Sequence, residues 1–129
     1  MSKIAENTSF LVYYAQSIEQ THQFWLRLGA IIKQKADDKV VVAIGGYEIH
    51  YIQENTEPFA EYQFATSKQG RGQGVLLYFG VSDIDAYNQL AKDSQVTAHT
   101  EVLKNHWDSR EFLFSDPDGY LFVAYQTAK

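Results

Sequence analysis

Glu48 and His50 stand two residues apart in the run Tyr47-Glu-Ile-His-Tyr-Ile-Gln53. Alternate residues of a strand share a face, so this carboxylate and imidazole lie within reach of each other. Such a pair can work as a general acid and base, or simply bond and hold a strand in place. Nothing in the sequence sets a nucleophile beside His50, so no serine-type triad can be argued. The chain has no cysteine, which removes disulfides, thiolate metal sites and a cysteine nucleophile. Its other histidines, His22, His99 and His106, fall on a helix or on and beyond a weak strand. Aromatic residues are abundant at 15%, and several stand where a planar ligand could stack on them.

The positioning elements must come from 129 residues, enough for one domain with one core. Apolar residues make up 45% and charged residues 21%, an ordinary globular balance. A net charge of −5 argues against nucleic acid or an anionic membrane as partner, since neither supplies positive charge. No run approaches the roughly 20 apolar residues of a membrane span, and the first residues lack a signal-peptide core. A cytoplasmic location is the expectation.

Taken in order, Ser9–Ala15 reads as a strand. A helix follows, opened by Ser17 at capping-box distance from Gln20 and ended at Gly29, with Ile18, Thr21, Trp25 and Leu28 facing inward. Ala30–Lys35 and Lys39–Ile44 form a hairpin through Asp37-Asp38, and Gly45-Gly46 turns the chain into the strand Tyr47–Gln53. Glu54–Gly74 is a long polar loop, expected to be functional, a lid or a linker. Its glycines do not make a phosphate-binding loop, because a strand follows where a helix is required. Val75–Val81 is the fifth strand. Asp83 caps a second helix with Ile84, Tyr87 and Leu90 inward, and Gln95–Leu103 is a weaker strand. The last hairpin pairs Glu111–Ser115 with Tyr120–Tyr125 across Asp116-Pro-Asp-Gly119, a turn with Pro and Gly at favourable positions.

The order β-α-β-β-β thus occurs twice, in modules at about 8–53 and 75–126 joined by loop 54–74. A shift of 66 lays Phe10–Glu19 on Leu76–Asp85, a strand followed by a capping residue, Ile and an acid. A shift of 73 lays Gly46–Gln53 on Gly119–Gln126, with Gly, Tyr and Gln identical.

With this repeat, the stretch Asn105-His-Trp-Asp-Ser-Arg-Glu-Phe-Leu-Phe-Ser-Asp-Pro-Asp-Gly119 resembles the vicinal oxygen chelate superfamily. That superfamily holds glyoxalase I, extradiol dioxygenases and bleomycin-resistance proteins, and the resemblance is closest to the bleomycin-resistance branch. It extends from Ser9 to Gln126. It implies an α+β fold, two tandem β-α-β-β-β modules forming curled, incomplete-barrel mixed sheets with the helices outside. It implies a cavity between modules or subunits, and a homodimer. Enzymes of the superfamily hold one divalent cation through a residue on the first and fourth strand of each module. By the same resemblance those positions are Phe10, His50, Leu76 and Val123. Three carry hydrocarbon, which has no lone pair to give a metal, and one imidazole does not suffice. No metal and no other cofactor is expected.

Strand alternation in phase with those positions puts Phe10, Val12, Tyr14, Glu48, His50, Ile52, Leu76, Tyr78, Gly80, Leu121, Val123 and Tyr125 on the cavity face. Leu11, Tyr13, Ile49, Tyr51, Leu77, Phe79 and Phe122 should pack under the helices. By resemblance, Trp107 and Glu111 stand at the cavity rim. The expected ligand-binding set is Phe10, Tyr14, Glu48, His50, Tyr78, Trp107, Glu111 and Tyr125; each can also be an ordinary sheet or surface residue. The expected function is metal-free binding of a small, partly aromatic, cationic molecule of antibiotic type. The alternative is a lyase, isomerase or dioxygenase of the superfamily, acting through a divalent metal or through His50 and Glu48. A protein-interaction module on the same fold is a third reading.

Overall fold

A computed structural model describes residues 3–5, 9–105 and 107–127. The first half forms β1 (Leu11–Ala15), α1 (Ile18–Arg27), β2 (Ile31–Lys35), β3 (Lys39–Ile44) and β4 (Tyr47–Gln53). After two 3-10 segments, Glu54–Thr56 and Ala60–Thr66, come β5 (Leu77–Gly80), α2 (Ile84–Asp93), β6 (Thr97–Ala98), β7 (Leu103–Lys104), β8 (Ser109–Ser115) and β9 (Leu121–Thr127). The first sheet has the order β1-β4-β3-β2; the second has β5-β9-β8-β6, with β7 also on β8. Each is mixed, because β1 runs parallel to β4, and β5 to β9, while the other pairs are antiparallel. The fold is mixed α+β, without a closed barrel. No helix among the described residues is long and apolar enough to cross a membrane.

The registers carry the sequence repeat. Leu11 faces Ile49 across β1 and β4, and Leu77 faces Phe122 across β5 and β9. These are the same two strand positions displaced by the 66- and 73-residue shifts. Each module also closes on a glutamine. Gln53 Oε1 accepts from Ile18 N (3.2 Å) and its Nε2 donates to Gln16 O (2.6 Å). Gln126 repeats both bonds with Ile84 N (2.9 Å) and Ser82 O (2.8 Å). A strand end thereby satisfies the first amide of each helix, one that would otherwise lack an intrahelical partner. Ser17 and Asp83 cap the next turn by accepting from Gln20 N and Ala86 N. Both helices stop in the same way: Gly29 (φ 80°) and Gln95 (φ 59°) turn left-handed, and Ala30 N and Val96 N reach back to Trp25 O and Ala91 O.

The helix-covered faces of both sheets share one core. Trp25 of α1 is fully buried, edge-on to Phe122 at 4.9 Å and Phe79 at 6.4 Å in the second sheet. Ile49, Tyr51, Leu77, Phe79 and Phe122 pack there as alternation predicts. Several positions depart from expectation. Leu11 is exposed, at the outer end of β1, and Tyr13 is half-buried against Tyr120 instead of lying under a helix. Leu90 is exposed while Asn88 and Ala91 face inward, because the buried stripe of α2 runs one residue further round. Val123 is buried, flanked in the sheet by Tyr78 and Leu113. The expected strand Gln95–Leu103 is two short ones. Between them Leu113 N donates to the Thr100 hydroxyl instead of to a ladder carbonyl, and broken pairing of this kind blunts a sheet edge.

The Asp116–Tyr120 turn is more than a hairpin loop. Its own bond, Gly119 N to Asp116 O (3.1 Å), is as expected, but its side chains reach the first module. Tyr51 donates its hydroxyl to Asp116 Oδ2 (2.7 Å) and accepts from Trp25 Nε1 (3.1 Å). Asp118 Oδ1 accepts from Gln16 N (2.8 Å), and the Tyr120 hydroxyl accepts from Tyr14 N and donates to Tyr14 O, both at 3.0 Å. The linker is tied to the same turn. The Arg71 guanidinium, its side chain 3% exposed, binds Asp118 Oδ1 (3.1 Å), Glu54 Oε1 (2.9 Å) and Thr66 O (2.8 Å). Beside it Gly72 has φ 75°, and a Cβ there would lie 2.8 Å from Tyr120 Cα. The Arg-Gly stretch therefore clasps the fold.

Candidate functional site

The faces turned away from the shared core gather the candidate residues into two clusters, each a candidate half-site. On the first sheet, β4 presents Glu48 and His50 together: His50 Nε2 and Glu48 Oε1 are 2.9 Å apart. Lys33 Nζ binds the other carboxylate oxygen at 2.7 Å. Lys33 first, then His50, holds the Glu48 carboxyl below its usual range. The half-exposed Phe10 stacks its ring on the imidazole, 3.9 Å between centroids and 18° between planes. A cavity of about 280 Å³ adjoins Phe10, Gly46, Tyr47 and Glu48. Both Glu48 oxygens and one His50 nitrogen are engaged within this chain of contacts, an arrangement that fixes the strand face and presents an aromatic surface.

The second half-site is richer in polar design. β5 and β8 bring Tyr78 and Glu111 together, with the Tyr78 hydroxyl donating to Glu111 Oε2 at 3.0 Å. Burial, then the Glu111 carboxylate, raises the Tyr78 pKa. Asn105 Nδ2 donates to Glu111 Oε1 (2.5 Å) and to Ser109 Oγ (2.8 Å). Its Oδ1 accepts from Trp107 N (2.9 Å) and Ser109 N (3.1 Å). One amide thus folds the loop, sets the Trp107 backbone and orients the carboxylate, while Asp108 bends it left-handed at φ 65°. The Tyr78 and Tyr125 rings stand 5.9 Å apart, tilted by 55°. Trp107, 66% exposed, completes the wall of a cavity of about 310 Å³ shared with Asn105, Ser109 and Thr127. An aromatic recess beside a carboxylate suits a cationic or electron-poor ring.

Of the expected ligand set, Phe10, Glu48 and His50 come together on one sheet, and Tyr78, Trp107, Glu111 and Tyr125 on the other. Tyr14 joins neither. It is buried, its hydroxyl donates to Glu57 Oε1 at 2.6 Å, and burial followed by Glu57 pushes its pKa up to about 12. Sequence reasoning missed Asn105; the available signal was an Asn four residues before a Ser in a loop, a spacing suited to side-chain turn bonding.

The superfamily's divalent ion finds no fitting donor set at the positions that would hold it. Phe10, Leu76 and Val123 offer hydrocarbon, and His50 is stacked by Phe10 and bonded to Glu48. Among the described residues no group of three His, Cys, Asp or Glu is placed to hold a metal. His22 lies 3.9 Å from Glu19, His99 bonds the Ser115 hydroxyl, and His106 lies outside the described residues.

Solved structures share this architecture. A protein of unknown function from Agrobacterium tumefaciens is 24% identical over 96% of both chains, with a TM-score of 0.76. A glyoxalase/bleomycin resistance protein/dioxygenase from Nocardioides is 13% identical over 99% of this chain and 87% of its own, at 0.77. A hypothetical protein from S. aureus is 18% identical over 96% of both, at 0.75. At such identities the likeness concerns the fold. None of the curated proteins matches the sequence. Residues 9–124, however, match a family across nearly the whole repeat: the chain belongs to the Glyoxalase/Bleomycin resistance protein/Dioxygenase superfamily.

Proposed function

We propose that this protein binds a small, partly aromatic, cationic molecule without a metal and without chemistry, in the manner of the bleomycin-resistance branch. The observation that carries the reading is Glu111, its two oxygens held by Tyr78 and Asn105, two residues that line the recess together with Trp107 and Tyr125. A carboxylate oriented by neutral donors keeps its charge for a ligand, and the rings give a planar cation faces to stack on.

The two half-sites lie on sheet faces that turn away from the common core, so one chain leaves both open. A homodimer would set the Phe10–His50 face of one protomer against the Trp107–Glu111 face of its partner, enclosing a ligand between subunits. Light scattering at micromolar concentration should give twice the 14.8 kDa chain mass; a strict monomer would remove the shared cleft.

Binding can be read from tryptophan fluorescence, because Trp25 is fully buried while Trp107 is exposed. Titrating chelator-treated protein with a bleomycin-type glycopeptide and with ethidium should give saturable quenching, lost in Trp107→Phe. Quenching unchanged in Trp107→Phe, or absent for both probes, would count against the site. The close Glu48–His50 contact favours the enzyme reading as the alternative. It requires turnover that disappears in His50→Ala, and stoichiometric metal if it is metal-dependent.

A further inference from the structure

A further cavity, of about 460 Å³, lies between the free edge of β1 and the linker. One wall is Leu11, Val12 and Tyr13; the other is Phe64, Gly72 and Val75. β1 is an edge strand paired only with β4. Successive residues of a parallel strand direct their backbone groups to opposite edges. Tyr14 spends both its N–H and its C=O on the Tyr120 hydroxyl, away from β4. Two residues earlier, the N–H and C=O of Val12 point from the same free edge into the groove. Among the described residues no partner bonds them.

The groove carries no charge to spare. Arg71 spends its two terminal guanidinium nitrogens on Glu54, Asp118 and a backbone carbonyl, and Glu57 takes the Tyr14 hydroxyl. What remains beside the neutral side chains of Ser67, Gln69 and Gln73 and the buried Arg71 Nε–H is a donor and an acceptor at strand spacing, next to hydrocarbon and the Phe64 ring, 83% exposed. A charged ligand would lose hydration there without gaining a counter-charge. A neutral secondary amide satisfies both backbone groups as an added strand would, while its apolar side chain covers Phe64, Leu11 and Val75. The volume is within the ~300–1,000 Å³ of small-molecule sites.

We propose that this groove is a second binding site, for a neutral secondary amide bearing an apolar side chain. It shares no lining residue with the Glu111 recess and does not depend on the function assigned to it.

The test is an NMR titration of ¹⁵N-labelled full-length protein with N-acetyl-leucine methylamide. Saturable shifts are expected at the Val12 and Gly72 amides and at the Phe64 ring. Val12→Pro removes the outward N–H without breaking the ladder to β4, a change edge strands tolerate. Phe64→Ser changes a largely exposed side chain. Each should weaken binding about tenfold, the unliganded spectrum showing that the fold is kept. Should Val12→Pro not fold, Phe64→Ser alone decides. Shifts confined to Tyr78, Trp107 and Glu111, or none that saturate, would overturn the proposal. So would affinity unchanged in a folded variant, or Val12 shifts that follow protein concentration without the probe, which would assign the groove to a second copy.

Discussion

Glu111 and Asp116 are carboxylates five residues apart that meet opposite environments. Glu111 stands half-exposed between two neutral donors, Tyr78 and Asn105, that line the recess proposed to bind a ligand. Replacing it by Gln keeps size and most hydrogen bonding but removes that charge; affinity for an aromatic cation should fall about tenfold, with the melting temperature little changed, as calorimetry can check. Asp116 is buried, and desolvation pushes its pKa up to about 7 from 3.8, against the pull of Tyr51 and the amides of Tyr120 and Asp118. A raised acid pKa means that the folded chain binds a proton more tightly than the unfolded chain. Its contribution to stability is therefore greatest at low pH and declines as pH rises from about 4 to about 7, by on the order of 4 kcal/mol at the limit. Asp116→Asn should flatten that part of the pH–stability curve in thermal melts; an unchanged slope would assign it to other groups. The resemblance already set Glu111 at a cavity rim, but nothing in the sequence marked Asp116 as a buried partner of the first module. Asp-Pro-Asp-Gly announced a turn through local chemistry, whereas the Tyr51 contact spans 65 residues and exists only once the modules pack.

At the scale of elements the repeat does most of the explaining. Gln53 and Gln126 matched in sequence without a stated role, and each proves to bridge a strand end to the start of its module's helix. Gln126→Ala should cost about 1–2 kcal/mol, the range of a lost helix cap, measurable by urea unfolding. Gly29 announced its helix end, but Gln95 hid the equivalent one by taking a left-handed backbone with a side chain. Gln95→Gly should stabilise the protein by up to about 1 kcal/mol, since glycine occupies that region without the Cβ penalty. Caps, hairpins and inward stripes were legible because they follow local periodicity. The division of the expected strand Gln95–Leu103 was not, because a threonine hydroxyl takes over a ladder bond there. Leu90 misled because an apolar residue at helical spacing was read as inward, when the stripe it borders is filled by Asn88 and Ala91.

Across the whole molecule, the linker and the Asp116–Tyr120 turn hold two equivalent modules with their helix-covered faces together. Arg71 is central to that clasp. Removing it as Arg71→Met leaves the buried Asp118 without its cation and Glu54 with only Lys68, and should cost about 3–5 kcal/mol in denaturant melts. Alternation along the strands sorted core from open face correctly for Ile49, Tyr51, Leu77, Phe79 and Phe122, but it could not show which way the modules dock. Docking leaves both candidate clusters facing outward, and the binding mode proposed above therefore joins two copies. The most direct test is a thermal-shift screen of the protein, with and without EDTA, against bleomycin-type antibiotics, aromatic cations and divalent ions. A ligand at a hundredfold excess over its dissociation constant adds about 2.7 kcal/mol to the native state. The account predicts that an aromatic cation raises the melting temperature equally in both conditions, and fails to do so in Trp107→Ala. Stabilisation by a divalent ion alone, abolished by EDTA and by His50→Ala, would contradict it.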